Sequence, residues 1–207
     1  GQAYLGSAVE AHGIDCGWAW AGKTHAACTA KGVRHLEHFA ESLDRIDEPY
    51  EVFDGAATVE RLGIDFYRRS LHTPGTVQMQ PAALVRGLAD NLPDNVTLHE
   101  QSPVTGIDVG PPHELHTDGG TVRTPELVLA NNGFAEGFGI ARGRLIPVIT
   151  WGSMTRPLTD EESASIGGDR TWGVIPADPS GTTVRRLADG RILVRNVYSY
   201  SRRSRID

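Results

Sequence analysis

The sequence predicts an α+β fold: a mixed, largely antiparallel sheet carrying helices, joined to a smaller lobe with an incomplete sheet of its own. Three observations point there. Among 207 residues, 24 glycines and 12 prolines supply turn formers for many short strands rather than a helical bundle. Short stretches of helical periodicity with recognisable caps alternate with strand-like runs. Two apolar runs, Val96 to Val109 and Leu127 to Phe134, each lead into a loop of the type that nucleotide-binding folds use. The strand, GxGxxG turn and helix that should open such a fold are missing from the sequence. The smaller lobe is therefore expected to be only partly Rossmann-like.

Tyr4 to His12 has the look of the last turns of a helix, with Gly13 as the left-handed residue that ends it. Trp18 to Thr29 is expected to be a strand pair turning at Gly22-Lys23. Val33, Leu36, Ala40 and Leu43 recur at helical spacing, which predicts an amphipathic helix over Gly32 to Asp47. Asp54 can cap a short helix through Leu62, closed by Gly63. Phe66 to Thr73 alternates as a strand does, and Pro74-Gly75 turns the chain. Pro81 then suits the first position of a helix bearing Leu84, Val85, Leu88 and Leu92, stopped at Pro93.

Val96 to Glu100 and Val104 to Val109 read as strands, and Asp118-Gly119-Gly120 turns a hairpin between Glu114–Thr117 and Thr121–Thr124. Leu127 to Ala130 has the continuous apolar character of a strand buried in a parallel sheet. A long strand spans Leu145 to Arg156. Thr159 with Glu162 forms a capping box for a helix ending at Gly167-Gly168. Thr183 to Arg195 is a hairpin turning at Asp189-Gly190. Gly137, Gly139 and Gly143 mimic a phosphate-binding pattern, but a strand follows them directly, so they are expected to form a flexible loop.

The net charge of −6 argues against a general nucleic-acid surface, and the basic run Arg202 to Ile206 is expected to be a solvated terminus. Cys16 and Cys28 give no disulfide framework and fit a reducing compartment. No basic-flanked apolar leader opens the chain. The longest apolar run, Leu145 to Trp151, falls far short of the roughly 20 residues that a membrane span needs. A cytoplasmic protein without membrane contact is the expectation, and the sequon at Asn95 to Thr97 should go unused.

Six segments occur together in a fixed order: HGIDCGW (His12 to Trp18), PAALVRGLA (Pro81 to Ala89), LHEQSPVTGID (Leu98 to Asp108), VLANNGF (Val128 to Phe134), IPVITWGSMTRPL (Ile146 to Leu158) and TVRRLADGRILV (Thr183 to Val194). In order and spacing the chain resembles the D-amino-acid-oxidase-like FAD-dependent oxidoreductases, most closely the γ-glutamylputrescine-oxidase-like branch. The resemblance implies a substrate-domain sheet built from residues 1–79 and 145–207, with residues 80–144 as a partial FAD-binding lobe. It implies an internal fragment of a larger flavoenzyme lacking both ends. The activity implied is oxidation of a small-molecule amine or amino acid by hydride transfer to FAD, with the resulting imine hydrolysed and oxygen reoxidising the cofactor.

Residue by residue, the resemblance places the backbone of Val104 beside the adenine edge. It makes Ala130, Asn131, Asn132 and Gly133 the loop passing close to the pyrophosphate and ribitol, although the family commonly carries Thr or Ala where this chain has Asn131 and Asn132. Arg185 matches an arginine ahead of the Asp-Gly-Arg turn and is the candidate for binding a substrate carboxylate. Strand alternation sends Arg185 and Arg186 to opposite faces, so at most one of them can do so. Trp151 and Met154 could line the flavin face, with core packing as the plainer role for each. No catalytic base is nominated. His35 with His38, and His113 with His116, lack further ligands at metal spacing, so no metal site is expected.

Two other readings stand beside this one. The chain could be a non-catalytic substrate-domain body that binds no cofactor by itself, or an unrelated α+β binding module. Alone, the chain is expected to lose FAD, and an exposed sheet edge is expected to pair with another copy.

Overall fold

A computed structural model of the chain describes residues 1–146 and 148–200. The basic run from Arg202 lies outside the described residues. The chain forms two compact units, one made of Gly1–Asn91 with Thr150–Tyr198 and a second built on Leu92–Ile149.

Helix α1 (Gln2–Ala11) is followed by Gly13, whose φ of 59° lets the chain leave the helix axis. Two strands follow, β1 (Ala19–Trp20) and β2 (Lys23–Ala27). The Thr29 side chain accepts from the Gly32 N–H and caps α2 (Ala30–Asp44). After β3 (Glu51–Phe53), Asp54 accepts from the Ala57 N–H and opens α3 (Gly55–Leu62). Strands β4 (Arg69–Thr73) and β5 (Val77–Gln78) lead to α4 (Pro81–Asp90), which starts on Pro81. Strands β6 (Val104–Asp108), β7 (His113–Thr117) and β8 (Gly120–Thr124) come next, followed by a 3₁₀ segment over Asn132–Phe138. Strand β9 (Val148–Met154) precedes α5 (Asp160–Ile166), whose Thr159–Glu162 capping box is fully formed. Strands β10 (Trp172–Pro176), β11 (Thr183–Arg186) and β12 (Ile192–Tyr200) close the chain.

The main sheet has seven strands in the order β3-β4-β2-β10-β11-β12-β9. Strand β10 runs parallel to β2, while β3–β4, β4–β2, β10–β11 and β11–β12 are antiparallel. The period-2 pleat divides the core into two layers. Ala27 and Leu71 face α2, where Leu36 and Leu43 close over them. Ala26 and Val174 face the other way, against Leu62, Tyr67 and Trp172. Leu62, Leu71 and Val174 are almost wholly buried, and each such side chain contributes about 1.5–3 kcal/mol. Thr58 and Ser70, also buried, satisfy one another through a 2.9 Å hydroxyl contact.

At the far end of α3 the chain passes close against the segment that follows α5. Gly63 sits at φ 73° and Gly168 at φ 63°, and a Cβ on either would strike the other segment's backbone. Only glycine permits both the left-handed backbone and this approach.

A third core cluster joins α4 to the first unit, with Leu84 against Ile14 and Cys16. The helix expected to open the middle lobe therefore packs on α1 instead, because its apolar stripe meets Ile14 across Gly87. Three further expectations change. Strands β1 and β2 do not form a hairpin: Ala19 and Trp20 pair with Gln78 and Val77 of β5. Val96 to Glu100 and Leu127 to Ala130 are not strands, and Val128 is 87% exposed. The second unit's sheet is an antiparallel β6-β7-β8 meander, so no parallel neighbour exists among the described residues to hold Leu127 to Ala130. Finally, the glycine loop starting at Gly137 is partly ordered, since the 3₁₀ segment runs through Phe138 to Gly139 at φ 80°.

Candidate functional site

In the second unit, one face of the meander and the chain after Leu127 enclose a groove of about 920 Å³. Ile107 and Leu115 form its floor, and Pro103, Val104, Ala130 and Phe134 its walls. The lining residues are apolar or neutral. Val104 opens β6 opposite Thr117, and the register shifts between Val104 and Gly106, so the strand is irregular where it meets the groove. Asn131 also lines the groove, and its Oδ1 is buried with no hydrogen-bond partner among the described residues. A buried acceptor left unpaired costs roughly 1–3 kcal/mol, so the groove suits a ligand carrying a donor. Asn132 stands at φ 51°, a left-handed conformation that asparagine tolerates, and a Cβ on Gly133 would meet nothing. The structure thus brings Val104, Ala130 and Asn131 to one groove, whereas Asn132 and Gly133 are not among its lining residues.

An adenosine end, flat and apolar with donors on its rim, fits such a lining. Among the described residues no charged side chain lines the groove, so from these a pyrophosphate would meet backbone N–H groups.

In the first unit, strand alternation separates the two hairpin arginines. Arg186 is 3% exposed and lies on the side of Trp172 and Val184. Its guanidinium donates to Ser163 O (3.0 Å), Ser163 Oγ (2.7 Å), Gly167 O (2.5 Å) and Asp169 O (3.2 Å). These acceptors lie in the last turn of α5 and just beyond it, where unpaired carbonyls favour a cation. Arg186 is structural. Arg185 is exposed on the opposite face, paired in register with Gly173 and Leu193. A Cβ on Gly173 would lie 3.0 Å from Gln78 Nε2 and 3.5 Å from Arg185 Cγ. The bare backbone at Gly173 is what lets the amide and the arginine stem approach each other.

Further along that face the His25 ring lies tilted 4.6 Å from Phe39, and its Nε2 has no partner among the described residues. Burial, and then the Lys23 charge, push its pKa down to about 4. Sequence reasoning passed over Gln78 and Gly173. The available signal was a glycine inside a strand, which often marks a close approach.

Trp151 and Met154 are not in a core. They are 55% and 53% exposed on β9, which ends the sheet with β12 as its one neighbour among the described residues. Their odd spacing sends them to opposite faces, so one regular strand cannot turn both toward a single ring. Among the described residues no helix is long and apolar enough to cross a membrane.

Similarity to known proteins extends over this whole arrangement. Glycine oxidase from Geobacillus kaustophilus superposes with a TM-score of 0.72 at 20% identity, covering 100% of this chain and 55% of that one. L-proline dehydrogenase from P. horikoshii gives 0.69 at 17% identity, covering 92% of this chain and 51% of that one. L-α-glycerophosphate oxidase from Mycoplasma pneumoniae, solved with FAD bound, gives 0.64 at 15% identity over 87% of this chain and 50% of that one. The chain thus spans about half the length of the solved structures it matches, and at these identities the likeness is one of fold. No curated protein matches the sequence. The family of FAD dependent oxidoreductases designated DAO, however, matches over residues 1–205, and with nearly the whole chain aligned the protein belongs to that family.

Proposed function

We propose that the chain is part of an FAD-dependent oxidoreductase that oxidises a small-molecule amine or amino acid. The observation that carries the reading is the groove of the second unit. In a member of an FAD family, it presents an apolar slot with an unpaired Asn131 acceptor. The Val104 backbone would meet the adenine edge, and Ala130 to Gly133 the atoms beyond it. FAD, when bound, supplies the acceptor for a hydride leaving the C–H beside the substrate nitrogen. The chain's own part is to bind and orient. Arg185, exposed and free of Arg186's structural duty, would grip a substrate carboxylate in a bidentate manner, with Gln78 beside it. Trp151 is a further candidate to contact substrate. The resemblance of the six segments to γ-glutamylputrescine-oxidase-like members supports assigning the chain to that branch, and the same proposal takes the protein to be cytoplasmic.

Arg185→Ala in the intact enzyme tests the substrate half. Loss of a charge-assisted pair is worth roughly 1.5–3 kcal/mol, so KM should rise, or turnover fall, about ten- to a hundredfold. Arg34→Ala, an exposed control on α2, should change neither. Arg186→Ala is a poor comparator because it removes a buried structural group. Equal small effects from Arg185→Ala and Arg34→Ala would remove Arg185 from the site.

The second reading, a non-catalytic body that holds no cofactor by itself, is favoured by the uncharged lining that the described residues give the groove. The two readings differ on what the isolated chain does. Titration of the chain with FAD should give no visible flavin band after gel filtration. Yellow protein releasing near-stoichiometric flavin on denaturation would show that the chain suffices.

A further inference from the structure

Local spacing pairs His113 with His116, but strand alternation puts them on opposite faces of β7. The register of the meander gives His116 other company. Glu114 shares its face, Asp108 on β6 stands directly across from Glu114, and Thr121 and Arg123 complete that face from β8. The cofactor groove uses the other face, through Ile107 and Leu115. Asp108, Glu114 and His116 therefore form a cluster separate from the groove.

Its geometry is already close to a ligand set. One donor atom from each of the three lies within 4.8 Å of the others. His116 Nε2 is 2.8 Å from Asp108 Oδ2. The imidazole can lean across because its strand partner is Gly106, whose missing Cβ would lie 3.5 Å from His116 Cδ2. The other ring nitrogen, Nδ1, is 3.3 Å from Thr121 Oγ1. An outer partner of this kind fixes the ring and its tautomer in metal-binding histidines. Arg123 Nε holds Glu114 Oε1 at 3.0 Å, which orients the carboxylate. Glu114 Oε2 makes no hydrogen bond among the described residues.

We propose that Asp108, Glu114 and His116 bind a divalent transition-metal ion of the zinc class, with water completing its coordination. One imidazole and two carboxylates suit zinc, cobalt or nickel rather than magnesium or calcium, which take oxygen ligands alone. The ion would sit between His116 Nε2 and Asp108 Oδ2, in place of the direct 2.8 Å contact they now make. Bound there, it ties β6 to β7 on the face away from the groove.

The test is titration of the chelator-treated full chain with Zn²⁺ against a chromogenic competitor, with Co²⁺ as a spectroscopic probe. One saturable site is expected, with visible cobalt bands. His116→Gln and Asp108→Asn should each weaken Zn²⁺ binding at least about tenfold. His113→Gln and the double variant His35→Gln/His38→Gln should leave it unchanged. Zn²⁺ should also slow amide exchange in β6 and β7, a readout that needs no variant. No saturable site, undiminished affinity in His116→Gln, loss of binding in the α2 double variant, or unchanged exchange in β6 and β7 would each overturn the proposal.

Discussion

Strands β2 and β4 in the first unit, and β6 and β7 in the second, are antiparallel pairs of similar length. Their surroundings differ. Ala26, Ala27, Ser70 and Leu71 are buried on both faces of the first pair, under α2 on one side and α3 on the other. Of the second pair no described side chain is fully buried, and this holds for the whole of Leu92–Ile149. The backbone hydrogen bonds of a ladder are alike in both, so the difference in stability must come from side-chain burial. One face of the second unit's sheet is apolar and open. That is the character of a surface made to receive something, whether a cofactor or more protein.

The largest test of this contrast is a matched pair of truncations. Leu62→Ala should cost about 2–5 kcal/mol, because the vacated space is walled by Tyr67, Trp172 and Val174. Leu129→Ala, half-buried beside the groove, should cost less than about 1 kcal/mol. Urea unfolding followed by tryptophan fluorescence and by amide exchange measures both, and equal losses would erase the distinction.

A smaller effect separates the hairpin arginines. Arg186→Met leaves the acceptors at Ser163, Gly167 and Asp169 unpaired and should destabilise by about 3 kcal/mol. Arg185→Met should stay within about 0.5 kcal/mol, since that side chain is exposed. Thermal melts of the two variants decide it, and a costly Arg185→Met would mean that Arg185 holds the fold rather than a substrate.

A further difference is a pH slope arising in the first unit. His25 is held neutral, with its pKa lowered from 6.5 to about 4. The unfolded chain therefore takes up a proton first, and stability present above about pH 6.5 is lost as pH falls toward about 4. His72, lowered by burial and then by Arg61, acts in the same direction. His25→Gln should flatten the slope measured by urea midpoints between those values. An unchanged slope would assign it to other groups.

Elements with local chemistry were legible in the sequence. Thr29, Asp54 and Thr159 cap helices as their side chains suggest, and Asp189-Gly190 turns the expected hairpin. What escaped depends on distant partners. Strand β10 has no alternation to announce it, because Trp172, Val174 and their neighbours take their places from β2 and β11. Ala19 and Trp20 pair with β5 rather than with the nearby β2. Leu127 to Ala130 looked like a buried strand by composition, but composition cannot supply the parallel neighbour it would need. Of the candidate site, Val104, Ala130 and Asn131 converge on a single groove, whereas the Gln78–Gly173–Arg185 grouping arises only from packing across the sheet. The His116 cluster is likewise a product of register, invisible to spacing along the chain.

The parallel pairing of β2 with β10 also bears on how the protein is made. At that junction the Cys28 N–H meets the Asp178 carboxylate across a sequence separation of 150 residues. Closing so long a loop costs about 4 kcal/mol of chain entropy before any contact rewards it. During synthesis β2, β3 and β4 leave the ribosome early but must wait for β10, with one side of β2 open as a sheet edge. The intervening chain carries the meander, and its compaction would draw the waiting edge and its late partner together. The seam between β2 and β10 is thus the expected late step of assembly, and changes in the meander should slow refolding, followed by stopped-flow fluorescence, while leaving final stability nearly untouched.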